Sequence, residues 1–193
     1  HARTYSKEEV LASAMDYFHG DELAASTWVN KYALRNKEGH LVEASPADMH
    51  RRMAREFARI EARQDPLPTD RRALLSAYGR ERNALNEEAI FKLFDGFRDI
   101  VPQGSVMASL GDPYRLASLS NCVVIPSPMD SYGGIFHNDQ QLAQLFKRRC
   151  GVGFDLSTLR PEGAPVSNAA RTSTGAVSFM ERFSNTTREV AQK

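Results

Sequence analysis

The sequence is poor in the features that usually announce a function. It has only two cysteines, Cys122 and Cys150, without CxxC spacing, which argues against both a disulfide scaffold and a zinc site. Its five histidines (His1, His19, His40, His50, His137) are scattered without ligand spacing, so no metal centre is expected. No apolar run approaches the roughly 18 to 20 residues needed to span a bilayer. The first residues, His1-Ala2-Arg3-Thr4-Tyr5, lack a signal-peptide core, and no lipidation motif is visible; a cytoplasmic location is the resulting expectation. GxSxG, HExxH and P-loop motifs are absent. Gly151-Val152-Gly153 has the wrong spacing for a dinucleotide fingerprint and precedes a strand rather than following one; it reads instead as a tight turn.

Charge of one sign is also missing. Lys and Arg total 25 against 24 Asp and Glu, a net charge of +1 that selects no acidic partner. A local excess lies between Arg51 and Arg82, where arginines outnumber Glu56, Glu61, Asp65, Asp70 and Glu81. The signs are interleaved and aromatics are few, the pattern of a salt-bridged helical face; nucleic acid is not an expected partner.

What remains is ordinary for a globular chain: 193 residues, 41% hydrophobic and 25% charged, enough for one large domain or two small ones. Residues 1–100 read as a helical domain. Ser6 is a plausible cap for a helix carrying Val10, Leu11, Ala14, Tyr17 and Phe18. A second helix spans about 21–34, with Leu23, Trp28, Val29 and Tyr32 on its apolar side. Ser45-Pro46-Ala47-Asp48 opens a third, with Met49, Met53, Phe57 and Ile60 in one stripe to about Arg63. Gln64-Asp65-Pro66-Leu67-Pro68 interrupts the pattern. Short helices are expected at 70–79 and 86–99, the latter burying Ile90, Leu93, Phe94 and Phe97.

The texture changes at Val101-Pro102-Gln103-Gly104, and residues 101–193 read as α/β. A buried strand is expected at 122–125, a loop at 126–129, a helix at 138–149 with Leu142, Leu145 and Phe146 inward, and a strand at 151–156. Thr174 then caps a helix expected to run to Lys193, carrying Val177, Met180, Phe183 and Val190. Strand, helix, strand, helix is the rhythm of a parallel unit.

Several residues could carry chemistry. Cys122 reads either as a small core residue of its strand or as a redox thiol facing a pocket. Cys150 reads as packing, too far around the strand-helix-strand unit to partner Cys122. Asp130 and Ser131 follow the first strand, where ligands of parallel sheets gather; the alternative is a turn or a helix cap. Lys147 and Arg160 suit phosphate, and a solvated helix end accounts equally for Lys147 among Arg148 and Arg149. Ser173-Thr174-Gly175 offers backbone N–H groups to an anion, or simply a cap.

The ordered series Ser118-Leu119-Ser120-Asn121-Cys122-Val123-Val124-Ile125, Asp130-Ser131, Lys147, Gly151 to Leu156 and Leu159-Arg160-Pro161-Glu162-Gly163 resembles the start of the catalytic barrel of ribonucleotide reductase large subunits. Asn30-Lys31-Tyr32-Ala33-Leu34 and Ser45-Pro46-Ala47-Asp48-Met49 resemble the helical region before it. The resemblance implies an α/β fold: an N-terminal helical domain followed by the first βα units of a ten-stranded barrel. It implies thiyl-radical reduction of a ribonucleotide substrate, with Cys122 as the first cysteine of a reducing pair regenerated by a thioredoxin-type reductant. Asn121 and Ser105 would lie beside the substrate. Asp130, Ser131, Tyr132, Lys147 and Arg160 would bind the effector, a deoxynucleoside triphosphate or ATP, and 161–170 would relay its identity. A homodimer is implied, with 138–149 and 175–192 as candidate contacts. Ser131-Tyr132-Gly133-Gly134-Ile135, Lys147-Arg148-Arg149 and Ser167-Asn168-Ala169-Ala170-Arg171-Thr172-Ser173-Thr174-Gly175 are more similar to the adenosylcobalamin-dependent class than to the di-iron class. The radical cysteine and the partner of Cys122 would lie in the remainder of the catalytic subunit, so this chain alone is expected to be inactive. A regulatory nucleotide-binding module and a helical nucleic-acid-binding protein are the competing readings.

Overall fold

The computed structural model describes residues 3–63, 74–81 and 85–190. The interruption expected at 64–68, the start of the helix expected at 70, and the acids Asp65 and Asp70 lie outside the described residues. The chain divides into two units, His1–Arg115 and Leu116–Lys193.

The first unit is helical: α1 (Lys7–Tyr17), α2 (Glu22–Lys31), α3 (Pro46–Arg63), α4 (Ala77–Glu81), α5 (Glu87–Phe94) with a 3-10 turn at Asp95–Phe97, and α6 (Gly104–Ser109). Local chemistry fixes where the helices start. Ser6 and Glu9 form a reciprocal capping box on α1, and Asp21 and Asn86 cap α2 and α5 through their side-chain oxygens. At α3, the Asp48 carboxylate reaches back to accept from the N–H groups of Ala44 (2.8 Å) and Ser45 (3.2 Å). Val10, Ala14, Trp28, Val29, Met49, Met53, Ile90 and Phe94 make one core. The stripe expected along α3 is only half buried. Met49 and Met53 are sealed, whereas Phe57 and Ile60 line an open apolar hollow with Leu93 and Ile100, beyond the part of the helix that the main core covers.

The change of texture at Val101 does not end this unit. Met107 and Leu110 join its core, and their carbonyls accept from the Arg52 guanidinium, so α6 is tied to α3. Arg52 also meets Glu43 at 2.7 Å, in an ion pair almost closed to solvent. Burial pushes the Glu43 carboxyl above its ordinary value, against the pull of Arg52 and the Leu34 N–H. Neighbouring arginines pair as the interleaved charges suggest: Arg51 with Glu88, Arg55 with Glu87 and Arg59 with Glu56.

The second unit carries β1 (Cys122–Val124), α7 (Tyr132–Phe146), β2 (Gly151–Gly153) and α8 (Gly175–Glu189). The strands are parallel, with Cys122 opposite Gly151 and Val124 opposite Gly153. Ile135, Leu142, Leu159 and Phe183 form its core, with Phe146, Val152 and Phe154 against them. β1 is not the buried strand expected: Cys122 and Val124 are exposed and Val123 half-buried, because among the described residues only β2 pairs with it. α7 begins six residues before the expected start. Its first turn holds Gly133 and Gly134, and a Cβ on Gly134 would stand 2.5 Å from the Met129 carbonyl, so the glycine serves close packing against the preceding loop. On α8, Phe183 is buried as expected, but Val177 and Met180 face outward.

Candidate functional site

The loops leaving the carboxyl ends of β1 and β2 meet in a pocket of about 290 Å³. From the first loop come Asp130, Ser131 and Tyr132; from the second, Arg160. Ser131 caps α7, its hydroxyl accepting from the Gly134 N–H at 3.1 Å. The Arg160 Nε donates to Asp130 Oδ2 at 2.7 Å, and the Arg160 N–H donates to Oδ1 at 3.3 Å. The guanidinium also donates to the carbonyls of Asp130 (3.4 Å) and Pro165 (3.3 Å). This hydrogen bonding to Arg160 holds the Asp130 carboxyl below its usual value, so it is an anion at neutral pH. Its remaining lone pairs can accept from hydroxyl groups.

One wall is apolar. Tyr132 stacks on Phe136 at 6.1 Å and meets Phe179 edge to face at 6.3 Å, with Ile135 and Val166 alongside. The other is polar, built from Ser167, Asn168, Ser173 and Thr174. The N-termini of α7 and α8 both open here, so two helix dipoles direct their positive ends at the space beside Arg160. Thr174 stands at the cap position of α8 but makes no side-chain capping bond. Its hydroxyl pairs with Ser178, and Ser173 takes the Gly175 N–H instead. A cleft with an apolar flank, an anion-friendly end and a carboxylate for hydroxyls fits a phosphorylated ligand bearing a ring.

Four of the five residues expected at an effector site thus lie together. Lys147 does not. It is the C-cap of α7, and the helix that Ser131 opens separates the two by about 24 Å at 1.5 Å per residue. Asn121 and Cys122 sit at the start of β1 and do not line this pocket; Ser105 is buried on α6 of the first unit. The reason given for separating the cysteines is corrected by the register. Cys122 lies opposite Gly151, so Cys150 is a neighbour along the adjoining strand and not far away. Alternation keeps them apart: Cys122 is exposed, Cys150 is fully buried, and both are free. Sequence reasoning missed Phe179, which lacks any motif and reaches the pocket only through folding of its segment; Asn168, within the expected relay segment, lines the pocket as well. Among the described residues no group of His, Cys, Asp and Glu could hold a metal ion, and no helix is long and apolar enough to cross a membrane.

A helical unit and a parallel strand-helix-strand unit, with a pocket beyond the strand ends, define the class: an α/β protein with an α-helical preface. Comparison with known proteins makes this specific. Residues 18–114 match the ribonucleotide reductase all-alpha domain, and residues 120–193 match the ribonucleotide reductase barrel domain. The chain belongs to the ribonucleotide reductase large-subunit family. It is 27% identical over 202 aligned positions to the vitamin B12-dependent ribonucleoside-diphosphate reductase of Thermoplasma acidophilum, covering 84% of this chain and 26% of that protein. It is 26% identical over 107 positions to the ribonucleoside-diphosphate reductase large chain 2 of Saccharomyces cerevisiae, covering 54% and 12%. It is 25% identical over 119 positions to the ribonucleoside-diphosphate reductase subunit alpha of Buchnera aphidicola, covering 62% and 15%. The chain therefore spans about a quarter or less of the length of these relatives.

Proposed function

We propose that this chain is the N-terminal part of a ribonucleotide reductase catalytic subunit, and that its pocket binds the deoxynucleoside triphosphate or ATP effector that selects the substrate. The observation that carries this reading is the convergence of Asp130, Ser131, Tyr132 and Arg160 from two loops onto one pocket. In this reading the polyphosphate lies toward Arg160 and the helix N-termini, Asp130 accepts from a sugar hydroxyl, and Tyr132 flanks the base. Lys147 reaches the site only from a second copy. An antiparallel pairing of α7 with its symmetry mate sets the C-terminus of one helix beside the N-terminus of the other, and the exposed Phe136, Val177 and Met180 suit a homodimer contact.

Cys122 is read as half of the reducing pair. Two thiols joining into a disulfide supply two electrons and two protons to the substrate, and a thioredoxin-type reductant restores them. Cys150 is not the partner, since it points to the opposite face; the partner belongs to the remainder of the subunit, with the complete ten-stranded barrel. The name of the Thermoplasma relative favours adenosylcobalamin as radical source of the complete enzyme.

The test is nucleotide affinity by calorimetry. Asp130→Ala and Arg160→Ala are each expected to weaken dNTP binding at least about tenfold, the loss of one charge-assisted contact. Unchanged affinity in both variants would remove the effector assignment.

A further inference from the structure

The helical unit holds a second hollow, of about 260 Å³, beside the connection between α1 and α2. Phe18, Trp28, Tyr32 and Phe97 line it. Phe18 and Phe97 stack on one another at 5.8 Å and 21°, so their rings form one continuous wall. Trp28 Nε1 donates to the Met49 sulfur at 3.3 Å, which spends the indole N–H inside the core. What Trp28 can offer a ligand is therefore its π surface. Leu23 and Met107 extend the apolar lining.

One charged group lines the hollow, the carboxylate of Asp21. Its Oδ1 accepts from the Ala24 N–H at 2.9 Å and so caps α2, while Oδ2 has no partner among the described residues. No Lys, Arg or His among the described residues lines the hollow. The charges close by have the same sign as Asp21. Glu22 stands in the first turn of α2, and Asp16 stands in the last turn of α1, where no basic residue answers the negative end of the helix dipole. His19, between the two helices, is exposed and outside the lining. Aromatic faces beside uncompensated negative charge attract a cation.

We propose that this hollow is a docking site for a lysine side chain of a protein partner. The hydrocarbon stem lies against Leu23, Met107 and the stacked rings, and the ammonium meets the aromatic π surface and Asp21 Oδ2. The volume falls below the roughly 300 to 1,000 Å³ of sites for whole small molecules, and it suits a single side chain. Arginine fits less well, because its planar fork takes both oxygens of a carboxylate and Oδ1 is already engaged. A polyamine would bring further ammonium groups for which the lining holds no second carboxylate.

Trp28 is the single tryptophan of the chain, so its fluorescence reads occupancy directly. Lysine blocked as its N-acetyl methylamide is titrated into the 193-residue chain. The comparisons are its isostere with a hydroxyl in place of the ammonium, arginine blocked in the same way, and spermidine. Lysine is expected to bind about tenfold tighter than the hydroxyl isostere, the size of one cation–π contact with a partly exposed ion pair. Asp21→Asn removes the charge and keeps a good helix cap, and Phe18→Leu removes a π face and keeps an apolar side chain. Each is expected to cut the preference for lysine about threefold, a fraction of one such contact, with the affinity of the isostere unchanged. Equal binding of lysine and its isostere, a Trp28 signal that does not respond, or an unchanged preference in either variant overturns the site. Tighter binding of arginine or spermidine than of lysine overturns the lysine side chain as its occupant.

Discussion

Acidifying the chain from pH 7.5 to 4.5 should destabilise its helical unit through one residue, His50. Its ring is sealed within α3, with the Phe94 ring stacked at 6.3 Å and the Phe97 ring edge-on at 4.6 Å. Nδ1 lies 3.3 Å from the Tyr17 hydroxyl and 3.8 Å from Asp95 Oδ1, and Nε2 has no partner among the described residues. The Tyr17 proton is committed to Asp95 at 2.8 Å, so the contact with His50 is made by an Nδ1–H donating to the phenolic oxygen. That oxygen also accepts from Gly96, and burial pushes the Tyr17 phenol up to about 12. Burial lowers His50 to about 4, with Arg52 adding to this and Asp95 opposing it. An unfolded histidine titrates near 6.5, so between these values the unfolded chain binds more protons than the folded one. Stability from this source is complete above about pH 6.5 and is lost as the pH falls toward 4. The difference of about 2.5 between these values, at roughly 1.4 kcal/mol per pH unit, sets an upper limit of about 3.5 kcal/mol. Urea unfolding followed by fluorescence of Trp28, whose Nε1 donates to Met49 beside His50, reports on this unit. His50→Leu is expected to remove the slope between pH 6.5 and 4.5 while leaving the carboxylate-driven loss at lower pH. An identical slope in the parent chain and the variant would refute the reasoning.

Other outcomes follow from the same packing. Glu43→Ala leaves the Arg52 charge and the Leu34 N–H buried without their partner, and should cost about 3 to 5 kcal/mol in urea unfolding; a change below 1 kcal/mol would mean the pair is hydrated. Thiol labelling under native conditions should modify Cys122 within the mixing period and Cys150 only on unfolding. Equal rates would contradict the opposed faces of β1 and β2.

The helical unit was largely legible because its signals are local. Ser6, Asp21 and Asn86 cap through bonds to residues three positions on, and the buried positions of α1 and α2 recur with the helix period. Where burial depends on a distant neighbour, the reading went astray. Phe57, Ile60, Val177 and Met180 have the spacing of core residues, but among the described residues each keeps more than a third of its surface exposed. The start of α7 was hidden by Gly133 and Gly134, which read as a loop until the closeness of the Met129 carbonyl explains the second of them.

By itself the sequence determined the two textures and the parallel rhythm of the second half, because residue type and order along the chain carry those facts; through its resemblance to a family it also singled out Asp130, Ser131, Tyr132, Lys147 and Arg160 as a set. Only the tertiary structure decided that four of these share a pocket, that Lys147 stands a helix length away, that Cys122 and Cys150 are neighbours of which one is exposed and one buried, and that Asn168 and Phe179 line the same pocket. Each of these depends on strand register, helix length or a hydrogen bond between segments, and such relations exist only once the chain has folded.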